Sequence, residues 1–127
     1  MAKLRLPRAE YINEDKALRE LVEQLAQEPL IGVDTESNSM YAYHERVCLI
    51  QISSRTADYI IDPFPIKDLS PLGQLMSAPE TEKIFHAAEY DIMILKRDYN
   101  YEFRNIFDTM VASRIIGYDS FGLGSML

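Results

Sequence analysis

Two carboxylates separated by one residue stand at the end of a short apolar run, Leu30-Ile31-Gly32-Val33-Asp34-Thr35-Glu36. Side chains of a strand alternate between its faces, so Asp34 and Glu36 point the same way. Like charges on a buried strand end repel each other and are costly to desolvate. A divalent cation removes that cost, and hard cations such as Mg²⁺ take carboxylate oxygens. The pair reads as half of a metal site. A second acidic stretch, His86-Ala87-Ala88-Glu89-Tyr90-Asp91, follows a second apolar strand. It places Asp91 in the first turns of a helix, where partial positive charge can face a sheet end. His86 falls at the strand end beside it. Met40, Tyr41 and Tyr43 follow the first pair in an expected loop. There they can stack on a terminal base or fold over the protein's own core.

Positioning these residues requires alternating strands and helices. Asn13 is the expected cap of a helix over 14–27, with Leu18, Leu21, Val22 and Leu25 on one side. Strands are expected over 30–35, 47–53 and 58–62, the last two joined as a hairpin through Ser54-Arg55-Thr56. Ser70 can cap a short helix through Met76, with Pro71 at its first position. A fourth strand, 83–86, leads to a helix over 88–98, and a fifth, near 105–107, leads to a helix over 109–116 capped by Asp108. The expected fold is α/β: a mixed five-stranded sheet with helices on both faces. In it the second and third strands run antiparallel to the first, and the later strands run parallel to it.

The chain has 127 residues, 47% of them apolar, which suits one domain with a real core. No apolar run approaches a membrane span, and Pro7 and Glu10 interrupt the N-terminal cations before a hydrophobic region develops, so no membrane partner is expected. A net charge of −7 argues against a broad basic surface for nucleic acid. It leaves room for a nuclease whose metal ions reverse the local sign. Phosphate contacts then fall to local cations: Arg46, Arg55, Lys96, Arg97 and Arg104. The single cysteine, Cys48, is expected to pack as a small core residue. It makes no internal disulfide, which fits a reducing cytoplasm.

Three blocks resemble the DEDD superfamily of 3′–5′ exonucleases, in the branch of ribonuclease D and the exosome-associated exonuclease. They are Ile31-Gly32-Val33-Asp34-Thr35-Glu36 with Cys48-Leu49-Ile50-Gln51-Ile52-Ser53; Lys83-Ile84-Phe85-His86-Ala87-Ala88-Glu89-Tyr90-Asp91; and Asn105-Ile106-Phe107-Asp108-Thr109-Met110-Val111-Ala112-Ser113-Arg114 with Gly122-Leu123-Gly124-Ser125-Met126-Leu127. The resemblance implies a ribonuclease H-like fold and two divalent cations, Mg²⁺ or Mn²⁺, about 3.5–4 Å apart. Asp34 and Glu36 match the first motif of that family and Asp91 the acid of the second. His86 matches a position near substrate. The implied reaction is hydrolysis of RNA 3′ ends, in a precursor transfer RNA or another structured RNA, to nucleoside monophosphates. Single-stranded DNA is the alternative substrate. A non-catalytic nucleic-acid-binding or scaffolding domain is the alternative from another class.

The third motif of the family, a Tyr or His followed after three residues by a fourth acid, is expected downstream of these residues; Tyr11-Ile12-Asn13-Glu14-Asp15 has the spacing but precedes the first strand and reads as the entry to the first helix. The chain is therefore expected to be the N-terminal part of an exonuclease domain, truncated at its C-terminus and almost inactive alone. Self-association through the truncated edge is a further expectation. The closing residues, Ser120 to Leu127, read as the start of another helix.

Overall fold

The computed structural model describes residues 6–38 and 45–127, so Met40, Tyr41 and Tyr43 lie outside the described residues. Strands β1 (Glu10–Ile12), β2 (Leu30–Asn38), β3 (Arg46–Ser53), β4 (Asp58–Ile61), β5 (Glu82–Phe85) and β6 (Ile106–Asp108) form one sheet in the order β1-β4-β3-β2-β5-β6. Helices α1 (Asp15–Leu25), α2 (Ser70–Ser77), α3 (Ala88–Tyr99), α4 (Thr109–Ile115) and α5 (Leu123–Met126) connect or follow them. The mixed sheet of the sequence reading is present, and β3 is antiparallel to both of its neighbours while every other pair is parallel.

Two expectations about the sheet are corrected. It has six strands, not five, because β1 pairs in parallel with β4. At three residues β1 is too short for an alternation to show in sequence. In addition, β4 runs parallel to β2, since the reversal into β3 is undone by the hairpin into β4.

Alternation sorts the strand residues onto two faces. Ile31 and Val33 of β2, Ile50 and Ile52 of β3, Tyr59 and Ile61 of β4, Ile12 of β1 and Phe85 of β5 are all buried in one cluster. Leu18, Leu21 and Leu25 of α1, Leu72, Leu75 and Met76 of α2, and Ala88, Ile94 and Leu95 of α3 join it. Burial of each such side chain stabilises by about 1.5–3 kcal/mol. Lys83 is buried on this face too, its Nζ donating to the carbonyls of Ala78 and Thr81 at 2.6 Å each. Loss of water around that amine lowers its pKa. The other face carries Gly32, Asp34 and Glu36 of β2 opposite Ser53, Gln51 and Leu49 of β3. Helices were expected on both faces. On this second one, among the described residues, the start of α4 and the turn into α5 approach at the His86 end.

Helix starts also differ in detail. Asn13 does not cap α1; Glu14 occupies the cap position and makes no side-chain bond there. The adjacent Asp15 carboxylate instead accepts the backbone N–H groups of Lys67 and Asp68 at 3.2 and 2.9 Å. Ser70 is the first residue of α2, and Asp68 accepts its N–H at 3.0 Å. Asp108 caps α4 as expected.

Candidate active site

Asp34 and Glu36 stand exposed on the open face of β2. Asp34 is in register with Gln51, and Glu36 with Leu49. The register then shifts: Ser37 pairs with Val47, which leaves Cys48 as the extra residue of a bulge beside Glu36. Bulges bend a strand and re-aim its side chains, and they are frequent beside active sites. Cys48 is half-exposed there, not packed as a core residue. A depression of about 560 Å³ runs along this face, lined by Gly32, Asp34, Gln51, Ser53, Ile84 and His86 among others.

Asp91 reaches the strand from the other side. It lies in the first turns of α3, which packs by Ala88, Ile94 and Leu95 into the closed core. Its carboxylate is buried and accepts the hydroxyl of Thr35, the residue between the two acids. Burial raises the Asp91 pKa, and the charges of Asp34 and Asp108 push it the same way against the Thr35 hydrogen bond. The three acids thus gather at one level of β2, two on the open face and one against Thr35. Among the described residues no three acidic, His or Cys side chains are already drawn together as a metal cage. Alternation turns Thr35 toward α3 and sets Asp34 and Glu36 on either side of it along β2.

In donor chemistry the residues fit a divalent cation. All three candidates are carboxylates, the ligands hard cations take. The repulsion between buried Asp91 and exposed Asp34 is one that a cation relieves.

His86 is engaged on both ring nitrogens. Nε2 is 2.7 Å from the carbonyl of Phe121 and must donate to it, while Nδ1 is 2.8 Å from the hydroxyl of Thr109. It therefore ties β5 to the C-terminal turn, and presents no free nitrogen to the substrate it was expected to touch. Beside it, Asp108 does more than cap α4. Its Oδ1 accepts from Met110 N–H at 2.9 Å, and its two oxygens also accept the N–H groups of Ala87 and Ala88 at 3.0 and 2.8 Å. Burial alone would raise the Asp108 pKa, but these N–H groups outweigh it and hold the carboxyl below its usual range. On the outer face of α3, the Tyr90 hydroxyl contacts Ser37 at 3.0 Å and donates to Glu45, so α3 grips both β2 and the residue leading into β3. Thr35, Tyr90 and the second role of Asp108 were not foreseen. Only Thr35 carried a signal, its place between two acids.

Comparison with known proteins identifies the family. A family model described as 3′-5′ exonuclease matches residues 9–127. The exosome complex component 10 homolog of Caenorhabditis elegans is 39% identical over 113 residues, 88% of this chain and 13% of that protein. The ribonuclease D of Gluconacetobacter diazotrophicus is 33% identical over 118 residues, 92% of this chain and 30% of that protein. Among solved structures, Escherichia coli RNase D superposes with a TM-score of 0.88 at 29% identity, covering 94% of this chain and 32% of that one. The catalytic core of RRP6 from Trypanosoma brucei gives the same score and identity, covering 97% of this chain and 34% of that one. The chain belongs to the DEDD 3′–5′ exonuclease family, in its ribonuclease D/RRP6 branch, and has the ribonuclease H-like fold. It spans 13% and 30% of the lengths of the two curated relatives named.

Proposed function

We propose that this chain supplies the acidic strand and the second-motif helix of a metal-dependent 3′–5′ exoribonuclease. The observation that carries the reading is the juxtaposition on β2: Asp34 and Glu36 side by side on the open face, with buried Asp91 at Thr35 between them. RNA is favoured over DNA by the relatives, which include ribonuclease D proteins and a solved exoribonuclease involved in structured RNA processing.

Asp34 and Glu36 would hold Mg²⁺ or Mn²⁺ directly, and Asp91 would take part directly or through water. A bound divalent ion of this kind supplies an activated water and stabilises the leaving 3′ oxygen. The residues of the chain provide the rest. The depression along Gly32, Gln51 and Ser53 gives a strand end a place to lie beside the acids. Residues 1–127 hold no Tyr-x-x-x-Asp placed to orient the attacking water or to add a fourth carboxylate. Misplacement of about 1 Å already costs on the order of a hundredfold, so the rate of this chain alone is expected far below the common ~10 s⁻¹.

The test is single-stranded RNA carrying a 3′-terminal label, incubated with Mn²⁺. Slow stepwise release of mononucleotides from the 3′ end, lost in Asp34→Ala, is the expected result. Internal cleavage, or release indifferent to Asp34, would overturn the reading.

A further inference from the structure

We infer that Asp108 is a positioning residue for Asp91, acting through the start of α3. The inference rests on the metal reading of Asp34, Glu36 and Asp91 and adds a residue to it. The position is set by the sheet. β5 and β6 pair in parallel with Phe85 opposite Asp108, so the Asp108 side chain lies at the mouth of the turn that leaves β5. That turn has no cap of its own. The residue at the N-cap of α3 is Ala87, which has no side-chain oxygen and sits in the left-handed region at φ 58°. L residues other than Gly, Asn and Asp seldom adopt that conformation unless their surroundings hold them in it.

Asp108 and Thr109 do the holding. The carboxylate takes the N–H groups of Ala87 and Ala88 at 3.0 and 2.8 Å. The Thr109 hydroxyl is hydrogen-bonded to Nδ1 of His86 at 2.8 Å. Three consecutive residues, His86 to Ala88, are thereby fixed from one dipeptide on the neighbouring strand end. Asp91 follows Ala88 by three residues, about one helical turn, and side chains of a helix tilt back toward its N-terminus. The direction in which α3 leaves Ala87 therefore sets where the Asp91 carboxylate meets Thr35. An all-acceptor group suits this place, since Asp108 serves four backbone N–H groups and offers none of its own.

Asp108→Asn separates this role from simple capping of α4. With its oxygen in the Oδ1 position, Asn still accepts from Ala87, Met110 and Val111, while its amide nitrogen meets the Ala88 N–H donor to donor. Two readouts are needed on the 127-residue chain. Calorimetric Mn²⁺ titration is expected to show about a tenfold loss of affinity, the low end of what an outer partner of a metal ligand costs. The Thr35 methyl resonance is expected to move toward its position in Asp91→Ala, a change that fraying of α4 would not cause. Thr81→Val, which removes the Thr81 hydroxyl bond to the Glu28 carbonyl away from this junction, serves as the destabilised control and should leave both readouts at wild-type values. A Thr35 resonance unchanged in Asp108→Asn overturns the positioning role. A wild-type chain that takes up no Mn²⁺ overturns the metal reading instead, and the Thr35 resonance still decides the role of Asp108.

Discussion

The two faces of one sheet are built from the same strands and do opposite work. On the closed face, β2 and β3 contribute Ile31, Val33, Ile50 and Ile52, sealed by α1, α2 and α3. On the open face, the same two strands alternate to Gly32, Asp34, Glu36, Leu49, Gln51 and Ser53, which remain partly or fully exposed. Neighbouring residues thus differ by environment rather than by position along the chain. Stability concentrates on one side, and groups that would be costly to bury are kept on the other. Asp91 is the exception. It belongs to the closed side by burial and to the acidic strand by chemistry, which is why its pKa rises.

The sharpest way to test this division is a pair of adjacent substitutions on β3. Ile50→Ala empties a fully buried position and is expected to cost about 2–5 kcal/mol of unfolding free energy in urea titration. Gln51→Ala, one residue on, faces the depression and should stay within about 0.5 kcal/mol. Similar losses from the two would break the comparison.

A smaller effect is expected where the faces meet. The folded-state pKa of Asp91 lies above its ordinary value of 3.8, chiefly through burial. The folded chain therefore holds that proton more tightly than the unfolded one. The stability this lends is present below the ordinary value and lost as pH rises through the folded value. At neutral pH the ionised carboxyl is a burden, so Asp91→Asn should be the more stable chain by about 1 kcal/mol, on the scale seen when a functional site is relieved. That advantage should shrink to nothing by about pH 3, where both forms are neutral. Thermal unfolding of the two chains between acid and neutral pH checks it. An advantage for Asn that grows on acidification would show the sign to be wrong.

Much of this division was legible in the sequence. Period-two alternation over residues 30–36 placed the acids on one face, and the helical spacing of Leu18, Leu21 and Leu25 marked the face of α1 that is buried. Asp108 was readable as a cap because an acid directly preceded a helical stretch. What could not be read depended on partners distant in sequence. The three residues of β1 take their strand form from pairing with β4. His86 is occupied by Thr109 and Phe121, and the second pair of Asp108 bonds spans 20 and 21 residues. The expected convergence of three carboxylates at the end of β2 did not reveal the partner that Asp91 takes, a residue 56 positions away. Asp91 meets the Thr35 hydroxyl because the apolar residues of α3 pack into the closed core.

The proposed function requires that the acids of β2, with Asp91, form a divalent-cation centre. Calorimetric titration of Mn²⁺ into the wild-type chain and into Asp34→Asn tests it most directly. Saturable binding of up to two ions by the wild type, weakened at least about tenfold in Asp34→Asn, is the predicted result. No saturable uptake by the wild type, or uptake that Asp34→Asn leaves unchanged, would contradict it.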